Sequence, residues 1–319
     1  MLEVSNRTDT AGMTLFGGLG GAAKPFLDIY GPFTGVQYEG QIGQYAATET
    51  GLPQAVDGNA VWMRVAPGNG NFTVSLAQTN QGLIRADQGE VVIKARQASD
   101  ALGATKMDRP EWLAIDPNSG WVYCTLTNNS QRGAKDRPDV DAANPRANNV
   151  MGQIIRWVDA GDFDGTTMRW NHLVLAGDPA QARPEAQGNV QGDLFACPDG
   201  LMLDARGVLW IQTDAHATQM YKGEFARIGN NQMLACDTAT GEVRRFLTGP
   251  TNCEITGLTF TPDGRSLFIS VQHPGESPSD RSDPQQAQKY SSWPDYQADG
   301  RPRSANVVIR KIDGGVIGT

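Results

Sequence analysis

Hydrophobic and polar positions alternate along most of this chain in short stretches, separated by turns rich in Gly, Pro and Asp. That period of two predicts short, half-buried strands. Residues 60–65 and 71–76 flank Pro67-Gly-Asn-Gly70 and predict a hairpin. Residues 152–157 and 172–176 predict two strands around an Asp/Gly turn. Residues 232–247 read as strand, Thr-Gly turn, strand, and 305–311 as a last strand before Gly314-Gly315. The best helix candidate is 88–102, where Val91, Val92, Ala95, Ala98 and Leu102 fall near one face and Gly103 supplies a stop. Residues 131–147, 177–193 and 221–231 read as polar loops or connections, and 274–304 as a loop or lid.

One phrase recurs three times against this background. It starts at Arg109-Pro-Glu-Trp-Leu-Ala-Ile115, again at Cys197-Pro-Asp-Gly-Leu-Met-Leu203, and again at Cys253-Glu-Ile-Thr-Gly-Leu-Thr-Phe260. Each copy puts an acid just before an apolar strand, then a tight turn, then a second apolar strand. A hairpin repeated with an acid at a fixed end is how a β-propeller delivers side chains to its central channel. The expected fold is therefore all-β and propeller-like, and three clear copies amount to about half of a closed ring.

Composition agrees. With 37 Gly, 18 Pro and only 19% charged residues in 319, the chain suits many short strands joined by turns, in one large β domain or two ordinary ones. The net charge of −8 argues against nucleic acid as a partner, because phosphate backbones select clustered Lys and Arg. An acidic chain still binds a phosphate group when metal ions supply the positive charge. The four cysteines, Cys124, Cys197, Cys236 and Cys253, form no Cys-x-x-Cys pair, and each lies in or beside an apolar segment, as buried small hydrophobes do. No apolar run approaches the roughly 18 residues of a membrane span. The first ten residues lack the basic and apolar regions of a signal peptide. Phe16-Gly-Gly-Leu-Gly-Gly21 has no strand before it and no helix after it, so it reads as a turn rather than a nucleotide loop.

The acids of the phrase, Glu111, Asp199 and Glu254, are the first candidates for chemistry. Carboxylates converging with Asn carbonyls suit a hard cation such as Ca²⁺; a capping or salt-bridged acid is the plain alternative for each. Arg109 lies two residues before Glu111 and shares its face in an extended strand. It either grips a phosphate bidentately or pairs internally with Glu111. The second strands end in Asn128 and Asn129, in Asp214 and His216, and in Gln272 and His273. His273 suits a metal ligand, a general acid, or a structural imidazole bonded to backbone. The amide pairs Asn148-Asn149 and Asn230-Asn231 suit calcium, an oxyanion, or an ordinary turn. Nothing resembles the Gly-x-Ser-x-Gly elbow of a serine hydrolase.

Several longer phrases, in order, resemble the PhoX family of alkaline phosphatases: Ala104-Thr-Lys-Met-Asp-Arg-Pro-Glu-Trp112, Tyr123-Cys-Thr-Leu-Thr-Asn-Asn129, Cys197-Pro-Asp-Gly-Leu201, Leu209-Trp-Ile-Gln-Thr-Asp214, Gly229-Asn-Asn-Gln232, Gly249-Pro-Thr-Asn-Cys-Glu-Ile-Thr-Gly257 and Gln272-His-Pro-Gly-Glu276. The resemblance covers about residues 83–319 and leaves 1–82 as a divergent, Gly-rich segment with room for a hairpin or blade. It implies a six-bladed propeller phosphomonoesterase, periplasmic or secreted, with a calcium- and iron-containing centre (Ca²⁺ and Fe³⁺). By motif, Glu111 becomes a metal ligand and Arg109 a phosphate-binding group. Asp199, Asp214, Asn230 and Glu254 carry over as further metal-ligand candidates without a defined family role, and Arg109, Glu111 and, from its own chemistry at a strand end, His273 are the catalytic candidates. The implied partner is a small-molecule phosphate monoester. Family members are much longer, and this chain resembles their C-terminal half. The cysteine that ligates iron in the family has no counterpart in context here. Two alternatives stay open: a calcium-dependent lactonase, since residues 198–210 also resemble gluconolactonase-like hairpins, and a non-catalytic propeller fragment.

Overall fold

The computed structural model describes residues 57–61, 72–74, 84–86, 104–159, 167–277, 279, 283–297 and 300–319. The helix expected over 88–102 lies outside these residues. The described elements are strands, joined by loops and single 3-10 turns such as Gly223–Phe225. In chain order they are β1 (Asp57–Val61), β2 (Phe72–Val74), β3 (Ile84–Ala86), β4 (Pro110–Ile115), β5 (Val122–Leu126), β6 (Gln153–Asp159), β7 (Thr167–Leu175), β8 (Gln191–Gly192), β9 (Pro198–Leu203) and β10 (Val208–Thr213). After them come β11 (Gln232–Asp237), β12 (Glu242–Thr248), β13 (Glu254–Phe260), β14 (Leu267–Gln272) and β15 (Ala305–Ile309).

Three sheets carry the three phrases. Their strand orders are β1-β7-β6-β5-β4, β8-β12-β11-β10-β9 and β13-β14-β15, and β2 pairs with β3 apart from them. Each phrase is one hairpin, β4-β5, β9-β10 or β13-β14, and each acid-bearing strand stands at the edge of its sheet. The following strands fold back in sequence order, the meander expected of propeller blades. The early hairpin is corrected: β1 pairs antiparallel with β7, not with 71–76, and β2 takes β3 as its partner.

The hairpin turns show why the phrase folds as it does. Gly120, Gly207 and Gly264 close the three turns with φ of 74°, 83° and 66°, a region open to Gly at little cost. In the second turn Asp204 Oδ1 accepts from the Arg206 and Val208 amides, and its Oδ2 accepts from Trp210 Nε1 at 3.1 Å. The side chain thus fixes the turn and the neighbouring strand together.

By contacts the chain divides into two units. The first contains residues 1–124, 131–148 and 155–172; the second contains 125–130, 149–154 and 173–319. In the second unit Trp210, Met233, Cys253, Ile255, Leu267, Ile269 and Val271 make one apolar core, with Phe246 packed edge-on to Trp210 at 5.1 Å. Met151, Cys197, Ala215, Met220, Phe225 and Ile228 make another. In the first unit, Trp157 and Trp170 are buried. Trp293, in the segment expected to be a loop or lid, packs on the Trp210 core. All four cysteines are buried free thiols, as their apolar contexts foretold.

Candidate functional site

The three acids share a backbone device. Arg109, Cys197 and Asn252 have φ of 50°, 51° and 52°, and each stands two residues before its acid, Glu111, Asp199 or Glu254. Non-Gly residues enter this left-handed region at a cost and collect at functional sites. The kink turns the chain into the edge strand and sets the direction in which the acid leaves it.

Arg109 and Glu111 belong to the first unit. Glu111 is buried and receives Arg109 Nε at 3.0 Å, so the internal ion pair is what forms. Behind it lies a buried anchor. Asp108 and Arg132 are both essentially inaccessible, and Arg132 Nε donates to Asp108 Oδ1 at 2.8 Å. Arg132 also donates to the carbonyls of Lys106 and Asp139 at 2.5 and 2.8 Å. Asn144 Oδ1 accepts from the Asp108 amide at 2.9 Å. The residue before Arg109 is therefore held by both its amide and its carboxylate. The Cys124 thiol is pushed far up, first by burial and then by the charge of Glu111.

Asp199, Asp214, Asn230, Glu254 and His273 belong to the second unit, where β9 and β13 pack against each other. Asp199 and Glu254 are both buried, and the Glu254 carboxyl is in hydrogen-bond contact with Asp199. Gln272 Nε2 donates to Glu254 Oε2, and His273 Nε2 lies 3.4 Å from the same oxygen. His273 Nδ1 lies 3.8 Å from Glu276 Oε2. Burial pushes the Glu254 carboxyl up, but the hydrogen bonds from His273 and Gln272, the imidazolium charge and Asp199 together hold it below its ordinary value. The hydrogen bond to Glu254 holds the His273 proton above its ordinary range; burial opposes this, and the charges of Glu276 and Asp214 add to it. Two adjoining buried carboxyl groups need a proton between them or a positive partner. His273 supplies one.

The amide pair divides its labour. Asn230 donates to the carbonyls of Gly249 and Pro250 at 2.8 and 2.6 Å, which leaves its buried Oδ1 without a hydrogen-bond partner. Asn231 is fully used: Oδ1 accepts from the Ala215 amide at 2.7 Å and from Thr213 Oγ1 at 3.0 Å, while Nδ2 donates to the Ala215 and Cys253 carbonyls at 2.9 and 2.8 Å. The Asp214 amide donates to the Cys197 carbonyl at 2.9 Å. Peptides next to Asp214 and Glu254 are thus stitched together through Asn231. The other sequence candidates serve local roles. Asn149 Oδ1 accepts from the Gly152 amide at 3.0 Å, and exposed His216 contacts Thr218 Oγ1 at 2.8 Å.

Sequence reasoning missed Asp108, Arg132 and Asn144. Asp108 stood inside the quoted 104–112 phrase without a role of its own, and the one signal for Arg132 and Asn144 was the density of Arg, Asp and Asn in a stretch read as a polar loop. Among the described residues, no group of three His, Cys, Asp or Glu is already arranged to hold a metal ion.

Comparison with known proteins supplies the context. A family model described as alkaline phosphatase PhoX matches residues 34–275. Among solved structures, that of Pseudomonas fluorescens PhoX in complex with vanadate, a transition state analogue, is 39% identical with a TM-score of 0.71. The match covers 88% of this chain and 45% of that one, so the present chain spans about half the length of that relative. The Pseudomonas aeruginosa periplasmic gluconolactonase PpgL is 13% identical over 54% of this chain and 39% of its own, with a TM-score of 0.28. A luciferin-regenerating enzyme is 10% identical over 73% and 54%, with a TM-score of 0.30. At those scores neither likeness carries weight. No curated protein matches the chain.

Proposed function

The chain belongs to the PhoX family of alkaline phosphatases, and from that premise we propose that the protein hydrolyses phosphate monoesters with the help of bound metal ions. The observation that carries this reading is the similarity to a PhoX that binds vanadate, a transition state analogue, over 88% of this chain. The thrice-repeated kink and acid at Glu111, Asp199 and Glu254 support it.

The donor set suits one part of the implied metal centre and not the other. Carboxylate oxygens at Asp199 and Glu254 and the orphaned Oδ1 of Asn230 are hard donors of the kind calcium takes. Glu111 and Asp214 have the same chemistry. In the second unit Asp199, Asp214, Asn230 and Glu254 would hold ions, and in the first unit Glu111 would do so; such ions when bound neutralise an ester's charge and orient it. The thiolate part of an iron centre does not fit. All four cysteines are buried, and burial pushes the Cys253 thiol up to about 12 against the backbone hydrogen bond that lowers it.

Within the first unit Arg109 is the phosphate-binding group: its planar fork matches two phosphate oxygens, and Glu111 holds its Nε edge in place. Glu254 first, with the charges of Glu276 and Asp214, keeps the proton on His273. In the second unit, His273 gives a proton to the departing alcohol oxygen as the oxygen of a water molecule bonds to phosphorus and the P–O ester bond breaks, which yields the alcohol and inorganic phosphate. We assign the protein to the periplasm or the secreted fraction and keep a boundary near residue 82 before the propeller-like region. Among the described residues no helix is long and apolar enough to cross a membrane. The test is turnover of p-nitrophenyl phosphate with and without added calcium and iron. Absence of turnover under every metal condition refutes the reading, and turnover of a lactone in its place favours the lactonase alternative.

A further inference from the structure

Building on the phosphatase reading, we propose that a cleft beside Glu254 is the subsite for the alcohol part of the ester, and that it takes a polyhydroxylated alcohol, a polyol or sugar, in preference to an alkyl or aryl one. The cleft lies on one face of the third sheet. Glu254 stands opposite Gln272, Thr256 opposite Ser270, and Ser270 opposite Asn306. Residues two apart on a strand share a face. Glu254, Thr256, Ser270, Gln272 and Asn306 therefore make one polar surface, while Ile255, Ile269 and Val271 turn to the apolar core.

The polar side chains lining the cleft are those of Thr256, Ser270, Gln272, Ser304 and Asn306. It joins the acid and imidazole cluster directly, because Gln272 donates to Glu254 and Ser304 Oγ accepts from the His273 amide at 3.0 Å. Ser270 Oγ donates to Asn306 Oδ1 at 2.8 Å, which leaves the Asn306 amide hydrogens for another acceptor. Gly257, at φ 59°, keeps the floor open: a Cβ there would stand 2.8 Å from Ser270 Oγ. Every one of these groups is neutral and bonds hydrogen. A second anion finds no cation among them, and the remaining lining, Val271 and Ala305, is two small aliphatic residues with no aromatic side chain for a ring to stack on. Hydroxyl groups find both donors and acceptors, each good bond being worth roughly two- to tenfold in affinity.

The test compares glycerol 1-phosphate with propyl phosphate, matched in carbon count, on the calcium-loaded full chain. The expected kcat/KM favours the glycerol ester by about tenfold, and Ser270→Ala and Asn306→Val each shrink that ratio by about threefold or more. A native ratio near one, or a ratio that neither variant moves, overturns the subsite. If neither ester turns over, the phosphatase reading is what fails, and saturation-transfer NMR with the same two esters decides the subsite separately. Saturation of the glycerol carbons in the native chain, lost in both variants, supports it. Equal or absent saturation of the two esters overturns it.

Discussion

Replacing Asp108 by Asn removes a charge and almost no volume from the anchor behind Arg109 and Glu111. The side chains of Asp108 and Arg132 are 0% and 1% exposed, so water cannot take over the pairing. Removing one partner of a buried pair costs about 3–5 kcal/mol, because the other charge stays buried without compensation. Arg132 keeps its bonds to the Lys106 and Asp139 carbonyls and its second ion pair, with Asp141 at 3.4 Å, which places the expected loss near the lower end, at about 3 kcal/mol. Urea denaturation of Asp108→Asn reads this loss as a shift of the midpoint at unchanged slope. The cycle is completed with Arg132→Met and the double variant. The double variant should be more stable than the sum of the single losses implies, since neither Asp108 nor Arg132 then leaves the other's buried charge unpaired, and only the partly exposed Asp141 loses its cation. A loss below about 1 kcal/mol for Asp108→Asn, or strict additivity in the cycle, would refute the claim that the pair is an interdependent buried anchor.

Other expectations follow from single contacts. Asn231→Asp turns two donors into an acceptor facing the carbonyls of Ala215 and Cys253, and denaturation should show a loss of about 2–3 kcal/mol. Burial pushes the Asp204 carboxyl up, but the hydrogen bonds from Arg206 and Trp210 outweigh it and hold it below its ordinary value. Its stabilisation is therefore complete above the unfolded value of about 3.9 and is lost as pH falls through the folded value; the urea midpoint of the native chain should drop more steeply at acid pH than that of Asp204→Asn. At Asn252 the sign of a comparison reads the backbone. In the left-handed region Gly is favoured over Ala by about 1 kcal/mol, whereas at ordinary φ Ala is favoured by about 0.5–1, so the midpoint of Asn252→Gly should exceed that of Asn252→Ala.

The hairpins were legible in the sequence because two local rules agreed on them: an apolar period of two, and turns that end in Gly. The acids were legible because they recur in one register. The anchor was not. Arg132 is separated from Asp108 by 24 residues, in a stretch whose composition says surface loop. Yet Arg132, Asn144 and Arg146 are almost wholly buried there, and Arg132 and Asn144 find their partners at Lys106 and Asp108, outside the stretch. Composition reports polarity, and polarity predicts exposure only when partners are lacking. The roles within Asn230-Asn231 were hidden for a related reason. The two residues are chemically identical neighbours, and only the carbonyls that face each of them separate a stitched amide from one with an open oxygen.

The kinks at Arg109, Cys197 and Asn252 carry no such signal, because none of the three is Gly, and only Asn favours the left-handed region. Three unlike residues hold the same unfavourable φ at the same distance from an acid, so the conformation is imposed by what surrounds each of them. The surroundings differ each time: Asp108, just before the first kink, is held by Arg132 and Asn144; Cys197 by the Met151 carbonyl, which accepts its amide at 2.7 Å; and Cys253, just after the third, by Asn231. Different anchors converging on one backbone shape are what a fold shows when the direction of the side chain two residues on is the thing being kept. A propeller-like meander would close its hairpins equally well with these residues at ordinary φ. The strain, roughly 1–2 kcal/mol at each non-Gly position, is thus spent on the acids, which ties the repeat to the site more closely than to the stability of the sheets.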